Sequence, residues 1–286
     1  MVREHIEKIP VRREDSHKGD YGRVFIVAGS PGMTGAAYLT AQAALRAGSG
    51  LVTCGIPSSL NDIMEVKLTE ALTLQLEETE ERCLSFKAKK RILDFCSGCD
   101  AAAIGPGLGG DESTRILVRE LVSEIEIPVV LDADGINALE GSLETLKRRK
   151  QDAVITPHPG EMSSLTGKDI SSVQADRENA ARTVAEATGK IVCLKGHRTV
   201  VAGPDGRCYV NDTGNSGMAT GGMGDVLTGM IASFIGQGLE PYSAAVVAVY
   251  LHGSAGDIVA EEKGPFSMIA TDVLEAIPEA FDKAGI

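Results

Sequence analysis

The strongest chemical signal lies in Asn215-Ser-Gly-Met-Ala-Thr-Gly-Gly-Met-Gly-Asp225, which runs into the apolar stretch Val226-Leu-Thr-Gly-Met230. A glycine costs a helix about 1 kcal/mol relative to alanine. Four of them between positions 217 and 224 therefore mark backbone that something approaches closely. The loop feeds an apolar helix, and free amides at a helix N-terminus hold an anion. Asp225 would stand in the first turn. It is either a cap or a general base facing a hydroxyl, with a phosphoryl group held by the amides of Gly222, Met223 and Gly224. Phosphoryl transfer suits such a site, because positioning and charge stabilisation do most of its catalysis.

A second glycine cluster is Gly105-x-Gly107-x-x-Gly110, with Asp132 some way downstream. Its spacing matches the dinucleotide fingerprint. Pro106, however, removes an amide that would face a pyrophosphate, and the cluster lies in mid-chain. A tight turn requiring positive φ is the alternative. No Gly-Lys-Ser or Gly-Lys-Thr is present. Cys96-Ser-Gly-Cys99 is a lone pair of the six cysteines. A zinc ribbon needs four ligands, so two reduced thiols is the simpler reading.

These residues need elements to position them. Short apolar runs at Val24–Ala28, Leu51–Cys54, Ala101–Ile104, Pro128–Leu131 and Ala153–Ile155 read as buried strands, with a weaker one at Ala71–Leu76. Helices are expected over Thr34–Ala47, Phe86–Phe95, Glu112–Ile125, Val173–Thr188, Val226–Ile235, Ser243–Glu261 and Ile269–Ala280. Alternation of this kind makes a parallel sheet covered on both faces. Ile191–Leu194, Thr199–Ala202 and Cys208–Val210, separated by tight turns, add an antiparallel side. The apolar segment 243–251 reads equally as core or interface. Ligands of open α/β sheets bind beyond the carboxyl ends of the strands, where Gly29, Gly105, Asp132 and Thr156 fall.

The chain has 286 residues, 43% of them hydrophobic, with a formal net charge of -12. That is a globular composition, not a disordered or fibrous one. An acidic balance argues against nucleic acid as the partner but leaves room for a phosphorylated small molecule. With 4% aromatic residues and no Trp, stacking platforms are not expected. Met1–Asp20 lacks an apolar signal core, and no run of about 18 apolar residues suggests a membrane span. A cytoplasmic location is expected, as one domain over 1–286 with residues 1–15 extended.

Gly221-Gly-Met-Gly-Asp225 resembles the C-terminal signature of ribokinase-like kinases, with Met223 where many members carry Ala. Ser16-His-Lys-Gly-Asp-Tyr-Gly22, Ala28-Gly-Ser30, Ile104-Gly-Pro-Gly-Leu-Gly109, Leu131-Asp-Ala-Asp-Gly-Ile-Asn-Ala138, Thr156-Pro-His-Pro-Gly-Glu161 and Leu194-Lys-Gly196 precede it in order. Together they resemble the ADP/ATP-dependent NAD(P)H-hydrate dehydratase family, over nearly the whole chain.

The resemblance implies a ribokinase-like three-layer α/β/α fold with a mostly parallel sheet and an antiparallel side. It implies dehydration of the (6S) hydrate of NADH or NADPH, with ADP or ATP as phosphoryl donor and Mg²⁺. Asp225 would be the base, and Gly222, Met223 and Gly224 the anion hole. Lys195, Gly196, His197, Arg198 and Thr199 would wrap the nucleotide, with an ordinary hairpin turn as the alternative reading of that segment. Ala37, Gly107, His158 and Asp225 would contact the hydrated cofactor, although a helix-core alanine is an equal reading of Ala37. Glu161 stands where ribokinase relatives keep a Glu associated with Mg²⁺. Asp132 and Asp134 are expected to order metal or substrate or to cap a turn, and His17 to order a loop near the substrate. His252, inside an apolar helix, reads as a hydrogen-bonded core or interface residue. A homotetramer is implied, and a separate epimerase partner, since nothing before Ser16 resembles an epimerase domain. A small-molecule kinase acting on a thiazole or pyrimidine alcohol is the competing reading.

Overall fold

The computed structural model describes residues 2–286. The apolar runs form nine strands: β1 (Arg23–Val27), β2 (Leu51–Pro57), β3 (Leu72–Leu76), β4 (Ala101–Ile104), β5 (Val129–Leu131), β6 (Ala153–Ile155), β7 (Ile191–Leu194), β8 (Val200–Ala202) and β9 (Cys208–Val210). They make one sheet in the order β3-β2-β1-β4-β5-β6-β7-β8-β9. Pairing is parallel from β3 to β7 and antiparallel for β7–β8 and β8–β9. This is the mostly parallel, three-layer arrangement expected, with its antiparallel side at one end.

The helices are α1 (Arg3–Ile6), α2 (Thr34–Arg46), α3 (Asn61–Lys67), α4 (Lys89–Cys96), α5 (Glu112–Glu124), α6 (Asp134–Asn137), α7 (Leu143–Arg148), α8 (Pro159–Thr166), α9 (Ile170–Ala175), α10 (Arg177–Thr188), α11 (Met223–Gly236), α12 (Pro241–Lys263) and α13 (Ala270–Ala284). Successive strand residues point to opposite faces. Val24 and Ile26 pack with α2, α11, α12 and α13, while Phe25 and Val27 pack with α4, α5, α8 and α10. Both faces are thus dry, as a parallel sheet requires.

Four differences from expectation have local causes. The helix expected over 173–188 is two, α9 and α10, broken where Asp176 leaves helical geometry and its carboxylate accepts from the Asn179 amide. Helices α3, α6, α7 and α8 span too few residues for a periodic signal. Within the N-terminal stretch expected to be extended, Arg3–Ile6 forms one helical turn. Helix α12 is long and apolar enough to cross a membrane by length and composition, yet its residues Ser243–Val249 are buried in the fold. They are core.

Helix α11 carries the glycine loop, so its seat on α2 positions the site. A Cβ at Gly229 would overlap the Thr40 carbonyl oxygen and stand 2.9 Å from the Ala43 Cβ. Glycine therefore lets the two backbones meet. Alanine is the better helix former by about 1 kcal/mol, but overpacking costs about 1–3 kcal/mol. Gly229→Ala is expected to lower the melting temperature despite its helix propensity, as read by calorimetry; an unchanged or higher value would contradict the close-packing account.

Candidate active site

The carboxyl ends of β1, β4, β5, β6 and β7 open onto one edge, where Gly29, Gly105, Asp132, Thr156 and Lys195 emerge. Asp132 forms the floor. It is 1% exposed. One carboxylate oxygen accepts from Lys195 Nζ, and the other accepts from Thr228 Oγ1 on α11 at 2.8 Å. Burial works against its charge, but Lys195, with the hydrogen bonds from Lys195 and Thr228, prevails and holds the carboxyl below its ordinary range. The next residue, Ala133, has φ 46, a rare conformation for a non-glycine residue. It turns the chain so that α6 starts at Asp134. Gly105 (φ 132) lies against the Asp132 carbonyl with no room for a Cβ.

Lys195 leaves β7 with its amide donating to the Pro157 carbonyl at 2.8 Å. Its side chain turns inward. Nζ pairs with Asp132 and lies 3.8 Å from Glu161 Oε2. Burial opposes its charge, but Asp132 and Glu161 keep the ammonium above its ordinary value. Glu161 is buried by α8, and burial, reinforced by Asp132, pushes its carboxyl up against the pull of Lys195.

Helix α11 begins at Met223 after Gly222, which sits at φ 92 in the left-handed region and provides no side-chain cap. The first amides of α11 therefore stay available. A Cβ at Gly224 would stand 3.2 Å from Lys195 Nζ and 3.4 Å from Asp132 Oδ2, so the loop lies directly on the charged floor. Asp225, in the first turn, is pushed up to about 7 by burial and by Asp132, with Lys195 opposing. A carboxylate of that strength suits a general base at neutral pH. The other glycine cluster is different. Helix α5 is capped by Asp111, which accepts from the Ser113 and Thr114 amides at 2.8 and 3.3 Å. Those amides cannot also hold a pyrophosphate. Gly105, Gly107 and Gly109 all have positive φ, so the cluster is a tight turn.

On the β7–β8 side, Gly196, His197 and Arg198 form an exposed turn, with Thr199 Oγ1 donating to the Gly196 carbonyl at 3.0 Å. Arg177 braces it by donating to the carbonyls of His197 and Leu194. This shelf of open backbone is separated from Lys195, whose side chain joins the floor instead. On the β1–β4 side, Gly107 (φ 63) accepts from Ser30 Oγ at 2.9 Å and packs on Met33. Ala37 is fully buried behind Gly29, so its part is to keep that wall thin. His158 caps α8: Nδ1 accepts from the Gly160 and Glu161 amides at 2.9 and 3.2 Å, and Nε2 lies 3.3 Å from Glu161 Oε1. Its side chain is 56% exposed and open to a ligand.

Mg²⁺ usually takes one or two carboxylates, with waters and substrate phosphates completing its shell. Among the described residues, no group of three or more His, Cys, Asp or Glu gathers for a metal. Glu161, 6% exposed and accepting from the His158 amide at 2.7 Å, stands as a single carboxylate and not as part of a closed cage. Asp134 holds the Gly109 amide at 2.8 Å, a turn-ordering part.

His17 does not reach this site. Its turn packs Lys18 against Gly50 and Gly22 against Gly236, at the amino end of β1, whereas the site lies at the carboxyl ends of the strands. Cys96 is buried and Cys99 half-buried, with thiols pushed up to about 12 and about 11, mainly by burial. They are not poised for redox use. His252 is core as expected, but its Nε2 has no hydrogen-bond partner. Sequence reasoning missed Thr228 and Arg177. Thr228 was findable as a hydroxyl one turn after Asp225 in an apolar helix; Arg177 had no signal.

A family model described as NAD(P)H-hydrate dehydratase matches residues 24–279. A bifunctional NAD(P)H-hydrate repair enzyme of Moorella thermoacetica is 47% identical over 95% of this chain, which spans 51% of that protein. The chain thus covers about half the length of the bifunctional relatives it resembles. An ADP-dependent (S)-NAD(P)H-hydrate dehydratase of Bacillus subtilis is 33% identical over 98% of this chain and 96% of its own. The Bacillus subtilis ADP/ATP-dependent enzyme co-crystallised with ATP and Mg²⁺ superposes with a TM-score of 0.84 at 32% identity, covering 99% of this chain and 97% of that one. A hydroxyethylthiazole kinase of Pyrococcus horikoshii shares only the fold, at 17% identity and a TM-score of 0.65 over 98% of this chain and 95% of its own. By the extent of these matches, the chain belongs to the NAD(P)H-hydrate dehydratase family.

Proposed function

We propose that the chain dehydrates the (6S) hydrate of NADH and NADPH at the expense of ADP or ATP, through transient phosphorylation of the added hydroxyl. One observation carries the proposal: a carboxylate with near-neutral affinity for protons stands beside uncapped amides at the start of α11. Asp225 takes the hydroxyl proton as the oxygen attacks phosphorus. The Gly222, Met223 and Gly224 amides receive the phosphoryl oxygens. Hydroxide is a poor leaving group and phosphate a good one. The ring nitrogen beside the reacting carbon then helps to expel phosphate, and loss of a proton from the neighbouring ring carbon restores the double bond. Glu161 would be the protein carboxylate for Mg²⁺, which when bound would neutralise charge on the nucleotide phosphates. The 196–199 turn offers its backbone to the nucleotide, and Gly107, His158 and the thin wall at Ala37 face the hydrated ring.

The proposal extends to a cytoplasmic homotetramer working with a separate epimerase that interconverts the two hydrate epimers. Support for the second activity comes from the relatives named as bifunctional repair enzymes.

Purified protein mixed with hydrated NADH, Mg²⁺ and ADP or ATP is expected to restore the near-ultraviolet absorbance of reduced nicotinamide. No rise with either donor, together with a stable phosphoester from an added alcohol, would favour a kinase instead.

Asp225 must be ionised to act as base. Its proton affinity near 7 predicts that kcat/KM falls about tenfold per pH unit below that value, measured as a pH–rate profile. A flat profile would contradict the assignment. Asp225→Asn should lower kcat by about 10²–10⁴-fold.

The same substitution should stabilise the fold. The carboxyl moves from an ordinary 3.8 to about 7 on folding, so the folded chain holds a proton the unfolded chain has shed. Wild-type stability therefore falls as pH rises through that window. Calorimetry should show Asp225→Asn melting above wild type at about pH 8, with the gap narrowing toward about pH 5.

A further inference from the structure

We infer that Lys195 is a catalytic residue that contacts the transferred phosphoryl group in both halves of the reaction, and not a residue that wraps the nucleotide; this rests on the proposed dehydratase chemistry. The backbone of Lys195 starts the exposed 196–199 turn, but its side chain goes the other way. Nζ lies against Gly224, 3.2 Å from where a Cβ would stand. Gly224 belongs to the anion-binding loop, and Asp225 follows it. An ammonium there faces the position of the phosphoryl group, not the shelf where a nucleoside would lie.

The ammonium has donors to spare. Of its three N–H groups, one goes to Asp132. Glu161 Oε2, at 3.8 Å, is an electrostatic partner beyond hydrogen-bond range. The remaining hydrogens are free to meet a ligand. Asp132, 1% exposed, is itself fixed by Thr228 at 2.8 Å, so the cation is anchored from below. The nucleotide shelf does not need Lys195 to hold its shape, because Arg177 braces it from α10.

The chemistry gives this cation two uses in one place. In the first half, the hydroxyl oxygen forms a bond to phosphorus while the bond to the nucleotide's bridging oxygen breaks. The hydroxyl proton goes to Asp225, and the electron pair of the broken bond leaves with the nucleotide. Lys195 balances charge on the phosphoryl oxygens in flight. In the second half, the carbon–oxygen bond breaks and its electron pair leaves with phosphate. The ring nitrogen lone pair fills the vacancy on carbon. The proton of the adjacent ring carbon is then lost and taken up by the phosphate, which departs as hydrogen phosphate. The same phosphoryl group is still against Lys195, so the cation also stabilises the leaving group.

The test compares wild type, Lys195→Met and Asp132→Asn/Lys195→Met with hydrated NADH, Mg²⁺ and ADP or ATP. The double variant removes the buried carboxylate charge that the single variant leaves unpaired. We expect kcat at saturating nucleotide to fall about 10²–10³-fold in both, with nucleotide affinity by calorimetry close to wild type. Ethylamine should restore part of kcat in a saturable way in Lys195→Met. Weakened nucleotide affinity with kcat retained would overturn the inference, making Lys195 a nucleotide-holding residue. So would recovery of kcat in the double variant, or the absence of amine rescue, either of which would make its part structural. Wild-type turnover is read in the same assay: its absence rejects the dehydratase reading, whereas wild-type turnover with unimpaired variants rejects this inference alone.

Discussion

The buried ion pair between Asp132 and Lys195 is the interaction on which the site depends. A carboxylate taken out of water without a partner costs far more than a fold can supply. Here it is met by an ammonium and the Thr228 hydroxyl. These partners come from different parts of the chain. Asp132 follows β5, Lys195 follows β7 and Thr228 lies on α11. One carboxylate thus fixes the register of the strand ends against the helix that carries the glycine loop. Losing one partner of a buried pair costs about 3–5 kcal/mol, enough to loosen the loop as well as the floor.

The pair also sets the chemistry of its neighbour. Asp225 is raised by burial and by the fixed negative charge of Asp132, and drawn down by Lys195. The balance leaves it near neutrality, where a carboxylate accepts a proton readily and can still be ionised beforehand. The uncapped start of α11 has the same character. A side-chain cap adds about 1 kcal/mol to a helix, and α5 has one in Asp111. Helix α11 lacks one, which leaves its first amides available to the phosphoryl oxygens of the proposed reaction. In both features local stability is given up for function, a common pattern at catalytic sites.

Much of this was legible in the residues. The strand runs 101–104, 153–155 and 191–194 coincide with observed strands, because a β-strand buried on both faces needs an unbroken apolar run. The glycine loop was legible for a related reason: only a close backbone approach explains so many helix breakers before an apolar helix. The floor was not legible in full. Asp132 and Lys195 are 63 residues apart, and no local pattern says that a lysine at the start of an exposed turn will fold inward. The remote placement of His17 was hidden for the same reason. A motif fixes residue type and order, whereas the end of the sheet it reaches is decided by where β1 begins and ends.

In the proposed reaction the added hydroxyl leaves as phosphate, so its oxygen is the atom to follow. Hydrated NADH carrying ¹⁸O in that hydroxyl, turned over with unlabelled nucleotide and Mg²⁺, should release inorganic phosphate containing one ¹⁸O, read by mass spectrometry. Unlabelled phosphate, with the label recovered in water, would contradict transient phosphorylation and the assignment of the α11 loop and Asp225 to phosphoryl transfer.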